Sequence, residues 1–226
     1  MHSSEIDAIL QRVDSARQSN GRVLVAIAGA PGAGKSTLAD QLVAVINDRD
    51  GDGTAALLPM DGFHRDNAEL DAMGLRDVKG APETFDVAGF VSLVRRVRAN
   101  DGAVRYPLFD RSLDRTLPDA SVLQAATPVV VLEGNYLLLQ QGHWADLRPL
   151  FDVTVMLSVP LSVLRDRMVE RWLTYGLSRP AAEARAEGND IVNARTVLAA
   201  SGAADLTLDG KVAGSAPETV PAGAAW

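Results

Sequence analysis

Gly29-Ala30-Pro31-Gly32-Ala33-Gly34-Lys35-Ser36 is a glycine-rich turn closed by a lysine and a hydroxyl residue, with Thr37 next in the chain. Glycine lets the backbone bend until successive N–H groups point inward, and such a nest holds an anion. A helix starting near Lys35 would add its positive end. Lys35 supplies a mobile charge for β- and γ-phosphates, and the Ser36 hydroxyl is a hard oxygen ligand for Mg2+. The spacing is G-x-x-x-x-G-K-[ST] without exception, so residues Gly29 to Thr37 form the expected cradle. The rival dinucleotide pattern G-x-G-x-x-G fails, because Pro31 stands two positions after Gly29 and Gly32-Ala33-Gly34 runs on to Thr37. The expected ligand is a nucleoside triphosphate.

Two single acids accompany the cradle. Asp61 and Glu133 each close a short apolar run. Strand C-terminal ends face the ligand crevice of a parallel sheet, so both acids should look into the same space as the glycine turn. There is no N-K-x-D guanine reader, and Asp71-x-x-Gly74 and Asp77-x-x-Gly80 follow no apolar strand. Nor is there a serine-glycine-glycine signature of transport ATPases. A GTPase switch and a transport motor are therefore disfavoured, and ATP is the expected nucleotide.

The strand and glycine turn, then Met60-Asp61-Gly62-Phe63-His64, then Val131-Leu132-Glu133-Gly134-Asn135-Tyr136, resemble the uridine kinase, phosphoribulokinase and pantothenate kinase superfamily. The likeness extends over roughly residues 20–200 and is strongest to the bacterial branch labelled fructose transport system kinase. It implies an α/β three-layer P-loop fold with a five-stranded parallel sheet and an arginine-bearing helical lid. It also implies that Asp61 lies beside the acceptor hydroxyl and Glu133 near Mg2+. Arg167 falls in the lid-arginine register, with Arg171 one turn on and sharing its face. The implied activity is transfer of the γ-phosphoryl group of ATP to a small-molecule hydroxyl, with a fructose-like sugar as leading acceptor. Nucleoside and pantothenate acceptors remain alternatives, as does a nucleotide-binding regulator of a transport system that turns over no substrate. Glycine at position 62, where uridine kinases usually have serine, argues against plain uridine kinase. A polyhydroxyl acceptor needs convergent donors and acceptors and an aromatic face, for which His64, Tyr106, Asp110 and Arg111 are the candidates. Trp144 and Trp172 read as packing residues. Asn189, Asp190 and Asn193 are similar to an Asn-Asp…Asn segment of this branch, with Asn189 equally readable as a helix N-cap.

These side chains need elements to position them. Val23 to Ala28 is an unbroken apolar run, as expected of a parallel strand covered on both faces. Further strands are expected over 54–60, 129–132, 153–157 and 206–208. Apolar residues at helical spacing predict helices over 4–18, 35–47, 160–174, 180–187 and 189–200. Another begins after an Asp86 cap, flanked by Phe85 and Phe90, and leaves Arg95, Arg96 and Arg98 solvated. Asn20-Gly21 reads as a turn. The stretch from Gly62 to Thr84 is long for a connection and is expected to hold function or short helices. One domain over 1–211, a lid near 160–190 and a disordered tail over 212–226 complete the reading.

The bulk properties agree. A chain of 226 residues with 47% hydrophobic residues builds one sizeable core. There is no cysteine, which removes disulfides and thiolate metal sites. Net charge is −7 with no Lys/Arg run, which argues against a nucleic-acid groove. No apolar run is long enough to span a bilayer, so a cytoplasmic protein without membrane partners is expected. Monomer and homodimer stay equally open.

Overall fold

The computed structural model describes residues 3–19 and 21–210. The expected tail over 212–226, and Asn20 of the expected turn, lie outside the described residues. Seven strands occur among those described: β1 (Val23–Gly29), β2 (Ala55–Pro59), β3 (Val104–Asp110), β4 (Arg115–Leu123), β5 (Val129–Gly134), β6 (Val153–Ser158) and β7 (Leu206–Asp209). Five of them form one sheet in the order β2-β5-β1-β6-β7, every pair parallel. β3 and β4 pair only with each other, as an antiparallel ribbon.

The strand period sorts β1 onto two cores. Val23, Val25 and Ile27 pack with Ile9, Val13, Leu38, Leu42 and Ile46 from α1 (Ser3–Arg17) and α2 (Lys35–Asp50). Leu24, Ala26 and Ala28 face the other way, onto a layer that includes an α-helix over Val87–Ala99. Successive strand residues point to opposite faces, so a strand buried on both sides must be apolar throughout.

Between β2 and that helix, the long polar stretch does contain helices of its own, α3 (Asn67–Met73) and 3-10 turns at Met60–Phe63, Arg76–Val78 and Pro82–Thr84. The Val87–Ala99 helix, α4, starts as expected, with Asp86 Oδ1 accepting the Gly89 N–H at 3.0 Å. Arg95 and Arg96 are exposed, but Arg98 is half-buried and paired with Asp152. Arg22 is buried and donates to the carbonyls of Val97, Gln124, Ala125 and Thr127, tying the end of α4 to the chain entering β5.

After β6 come α5 (Leu161–Thr174), α6 (Arg179–Arg185), a π-helical turn at Ala186–Asp190 and α7 (Ile191–Ala200). Asn189 lies inside the π turn and is not an N-cap; its Nδ2 donates to the Lys79 carbonyl at 2.8 Å. Met168, Val169, Ala182 and Ala186 form a small core that joins α5 to α6. Among the described residues, no helix is long and apolar enough to cross a membrane.

Candidate active site

β1 ends in the glycine turn, and α2 begins at Lys35. Gly34 caps α2 with φ of 95°, in the left-handed region where a side chain is strained. Gly32 (φ 76°) is constrained twice, since a Cβ there would lie 2.3 Å from Met168 Cε of α5. The loop is thus closed on itself and roofed by α5. Lys35 is buried and donates to the Ala30 carbonyl at 3.0 Å. Burial pulls its pKa down, opposed by the charges of Glu133 and Asp61.

The two acids arrive from neighbouring strand ends. Glu133 lies in β5, in register with Ile27 of β1 on one side and Pro59 of β2 on the other. Asp61 follows β2 in the 3-10 turn Met60–Phe63 and accepts a hydrogen bond from Arg111 Nη2 at 2.8 Å. Their protonation equilibria diverge. Burial and the nearby Asp61 charge push Glu133 up to about 7. Burial also pushes Asp61 up, but Arg111, His64, Lys35 and Arg171 together outweigh it and hold the carboxyl below its usual range. Asp61 is the ionised member at neutral pH.

Lys35, Ser36, Asp61 and Glu133 line one cavity of about 690 Å3. The neighbouring Ser36 hydroxyl pulls the Glu133 carboxyl partly back down. These two hard oxygen donors fit a Mg2+ that arrives with a triphosphate and takes its remaining ligands from phosphate and water. An all-protein metal cage does not fit, because no group of three His, Cys, Asp or Glu ligands occurs among the described residues. Two polar atoms of cavity-lining side chains, His64 Nδ1 and Arg171 Nε, are buried without a hydrogen-bond partner. Buried polar atoms are nearly always satisfied, so both call for a partner from water or a ligand.

No family model matches the chain. It is 37% identical over 202 residues to "Uncharacterized protein YggC" of Escherichia coli K12, covering 89% of this chain and 82% of the other. It is 36% identical over 197 residues to "Putative uridine kinase C227.14" of Schizosaccharomyces pombe, covering 84% of each. The crystal structure of a "putative fructose transport system kinase" from Silicibacter sp. TM1040 superposes with a TM-score of 0.85 at 44% identity, covering 90% of this chain and 98% of that one. The chain belongs to the P-loop kinases of the uridine kinase, phosphoribulokinase and pantothenate kinase superfamily.

In this kinase the cavity gathers Pro31, Gly32, Lys35, Ser36, Asp61 and Glu133 from the expected nucleotide and catalytic set. From the expected acceptor and lid sets it gathers His64, Arg111 and Arg171. Gly29, Ala30, Ala33 and Gly34 shape the loop backbone, and Thr37 continues α2 behind it. Besides these five, three residues expected to act through their side chains do not line the cavity. Tyr106 is buried in the core and its hydroxyl donates to the Leu57 carbonyl at 2.9 Å, which makes it a brace between β3 and β2. Asp110 Oδ1 accepts from the Ser112 N–H and hydroxyl and from the Leu113 N–H, closing the hairpin turn. Arg167 donates to the carbonyls of Gly32 (2.9 Å) and Gly210 (3.0 Å), which hold its guanidinium against backbone.

The kinase also has cavity residues that sequence reasoning missed. Trp172 lies on the stripe of α5 that predicts packing, and its Nε1 does donate to Asp190 at 2.6 Å, yet it lines the cavity with Tyr175. Lys79 and Asp114 come from a polar connection and a hairpin tip, where no periodicity exists to single them out.

Proposed function

We propose that the kinase transfers the γ-phosphoryl group of ATP to a hydroxyl of a small polyhydroxyl acceptor, with sugars such as fructose as the leading class. The loop amides and Lys35 hold the β- and γ-phosphates. Ser36 and Glu133 would hold Mg2+, which would supply neutralisation of phosphate charge. Asp61 orients the acceptor hydroxyl and takes its proton late, as suits a weak base facing a loose transition state. Arg111 occupies Asp61 Oδ2 and so fixes the plane of that carboxylate. Arg171, not Arg167, supplies the lid charge over the γ-phosphate, because only Arg171 lines the cavity.

The observation that carries this reading is that one cavity is lined both by phosphate-binding and acid groups and by the stacked rings of His64, Phe85 and Phe109. Ring faces with nearby polar groups suit a sugar, and the Silicibacter structure's description names a fructose transport system. ATP-dependent phosphorylation of this kind belongs in the cytoplasm.

The test is ADP release from Mg-ATP across neutral sugars, uridine and pantothenate. A neutral sugar should stimulate release. Stimulation only by uridine or pantothenate would reassign the acceptor. ATP binding with no stimulated release by any compound would reject the kinase role in favour of a regulator.

A further inference from the structure

The cavity is also lined by a cluster outside the phosphate machinery. His64 stacks between Phe85 and Phe109, with ring centroids at 4.1 and 4.6 Å. Burial pushes its pKa down to about 4, so the ring is neutral at pH 7, and its Nδ1 has no partner. Beside it, the Lys79 ammonium lies 5.0 Å from the Phe109 ring centroid. Lys79 Nζ donates to Asn67 Oδ1 (2.7 Å), Asp114 O (3.1 Å) and Asp114 Oδ1 (2.8 Å). An ammonium has three N–H donors, so Lys79 has none left to offer a ligand.

The acceptors of the cluster are not used up. Asp114 Oδ2 takes one hydrogen bond, from Asn67 Nδ2 at 2.9 Å, and Oδ1 takes one from Lys79. A carboxylate offers about four lone-pair sites, so about two remain, along with one on Asn67 Oδ1. Three arginines that line the cavity each face a carboxylate or a carbonyl of the protein. Arg111 is paired with Asp61. Arg76 sits between Asp71 (3.6 Å) and Asp114 (3.7 Å). Arg185 donates to the Asp77 carbonyl at 3.3 Å and lies over Trp172.

We propose that Asn67 and Asp114, with Lys79 locking them in place, form a hydroxyl-reading subsite beside His64 that selects uncharged polyols and rejects acceptors bearing a phosphate or carboxylate. Spare acceptors are completed by O–H donors. A phosphate or carboxylate brings none and would meet the Asp114 charge. A polyol also supplies a hydroxyl for His64 Nδ1, in whichever tautomer the ring adopts. This proposal rests on the sugar-kinase reading and narrows it to neutral sugars.

The test compares D-fructose, D-ribose and D-glucose with their terminal phosphate esters, under Mg-ATP. The wild type should favour at least one neutral sugar over its ester by ~100-fold or more in kcat/KM, as expected of a site with matched polar groups. Asp114→Asn should raise the KM for that sugar by ~10-fold or more, change kcat by less than about 3-fold, and shrink the preference over the ester to below ~10-fold. ATP affinity and thermal melting report whether the variant is folded. If it is not, Asn67→Ser carries the same expectation at ~5-fold in KM. A wild type that prefers the esters, or a folded variant with unaltered KM and preference, overturns the subsite while leaving sugar phosphorylation standing. Turnover of uridine or pantothenate with no sugar turned over overturns both.

Discussion

Arg167 and Arg171 stand one turn apart on α5 and make different contacts. The resemblance pointed to Arg167, and helical spacing alone could not separate two residues that share a face. Arg167 ties the glycine loop to the chain after β7 through Gly32 and Gly210. Arg171 leaves Nε unpaired and places its guanidinium carbon 5.7 Å from the ring centroids of both Trp172 and Tyr175. Removing a charge that acts on the transition state lowers kcat more than nucleotide affinity. Arg171→Ala should therefore cut kcat by ~100-fold with ATP affinity nearly kept. Arg167→Ala should lower thermal stability and weaken ATP binding, with kcat at saturating ATP within about 3-fold of wild type. Steady-state kinetics with separate ATP binding isotherms would decide. The reverse ranking of the two kcat values would restore Arg167 to the lid role.

At the scale of elements, the parallel sheet was readable because doubly covered strands announce themselves as unbroken apolar runs, as Val23 to Ala28 and Val129 to Leu132 do. The β3–β4 ribbon was not. It is interrupted by Pro107 in β3 and by Pro118 and a left-handed Asp119 (φ 52°) in β4, and much of β4 is exposed. Its buried face is limited to Val104, Tyr106 and Leu123, too short an alternation to stand out from a loop, which is why Tyr106 and Asp110 were expected in the cavity when one braces the ribbon and the other closes its turn. The helices after β6 were placed nearly correctly, but the continuous π turn between α6 and α7 hid behind Gly188, a residue that reads as a break. The ribbon nevertheless positions chemistry, since it carries Phe109, Arg111 and Asp114. It is held by close backbone approach, because a Cβ on Gly62 would lie 2.2 Å from the Pro107 carbonyl oxygen. Gly62→Ala must push the ribbon away. Overpacking of this kind costs about 1–3 kcal/mol, so Tm should fall by ~3–10 °C and the acceptor KM should rise as Arg111 and Asp114 shift. A variant with wild-type Tm and KM would show that the ribbon does not build the acceptor site.

For the whole molecule, the decisive fact is the order β2-β5-β1-β6-β7. It sets the ends of β2, β5 and β1 side by side, so that Asp61, Glu133 and the glycine loop, far apart in sequence, open onto one crevice. That convergence could be inferred from the motifs. What an acceptor touches could not, because it depends on which loops fold over the crevice. The most direct measurement of the central claim follows the label itself: ATP carrying 32P at the γ position, incubated with Mg2+ and the neutral sugar panel, with products separated as sugar phosphate or free phosphate. Wild-type protein should place the label on a sugar, and Asp61→Asn should do so ~100-fold more slowly while binding ATP as well as before. Label appearing only as free phosphate, or transferred to sugar at the same rate by Asp61→Asn, would contradict it.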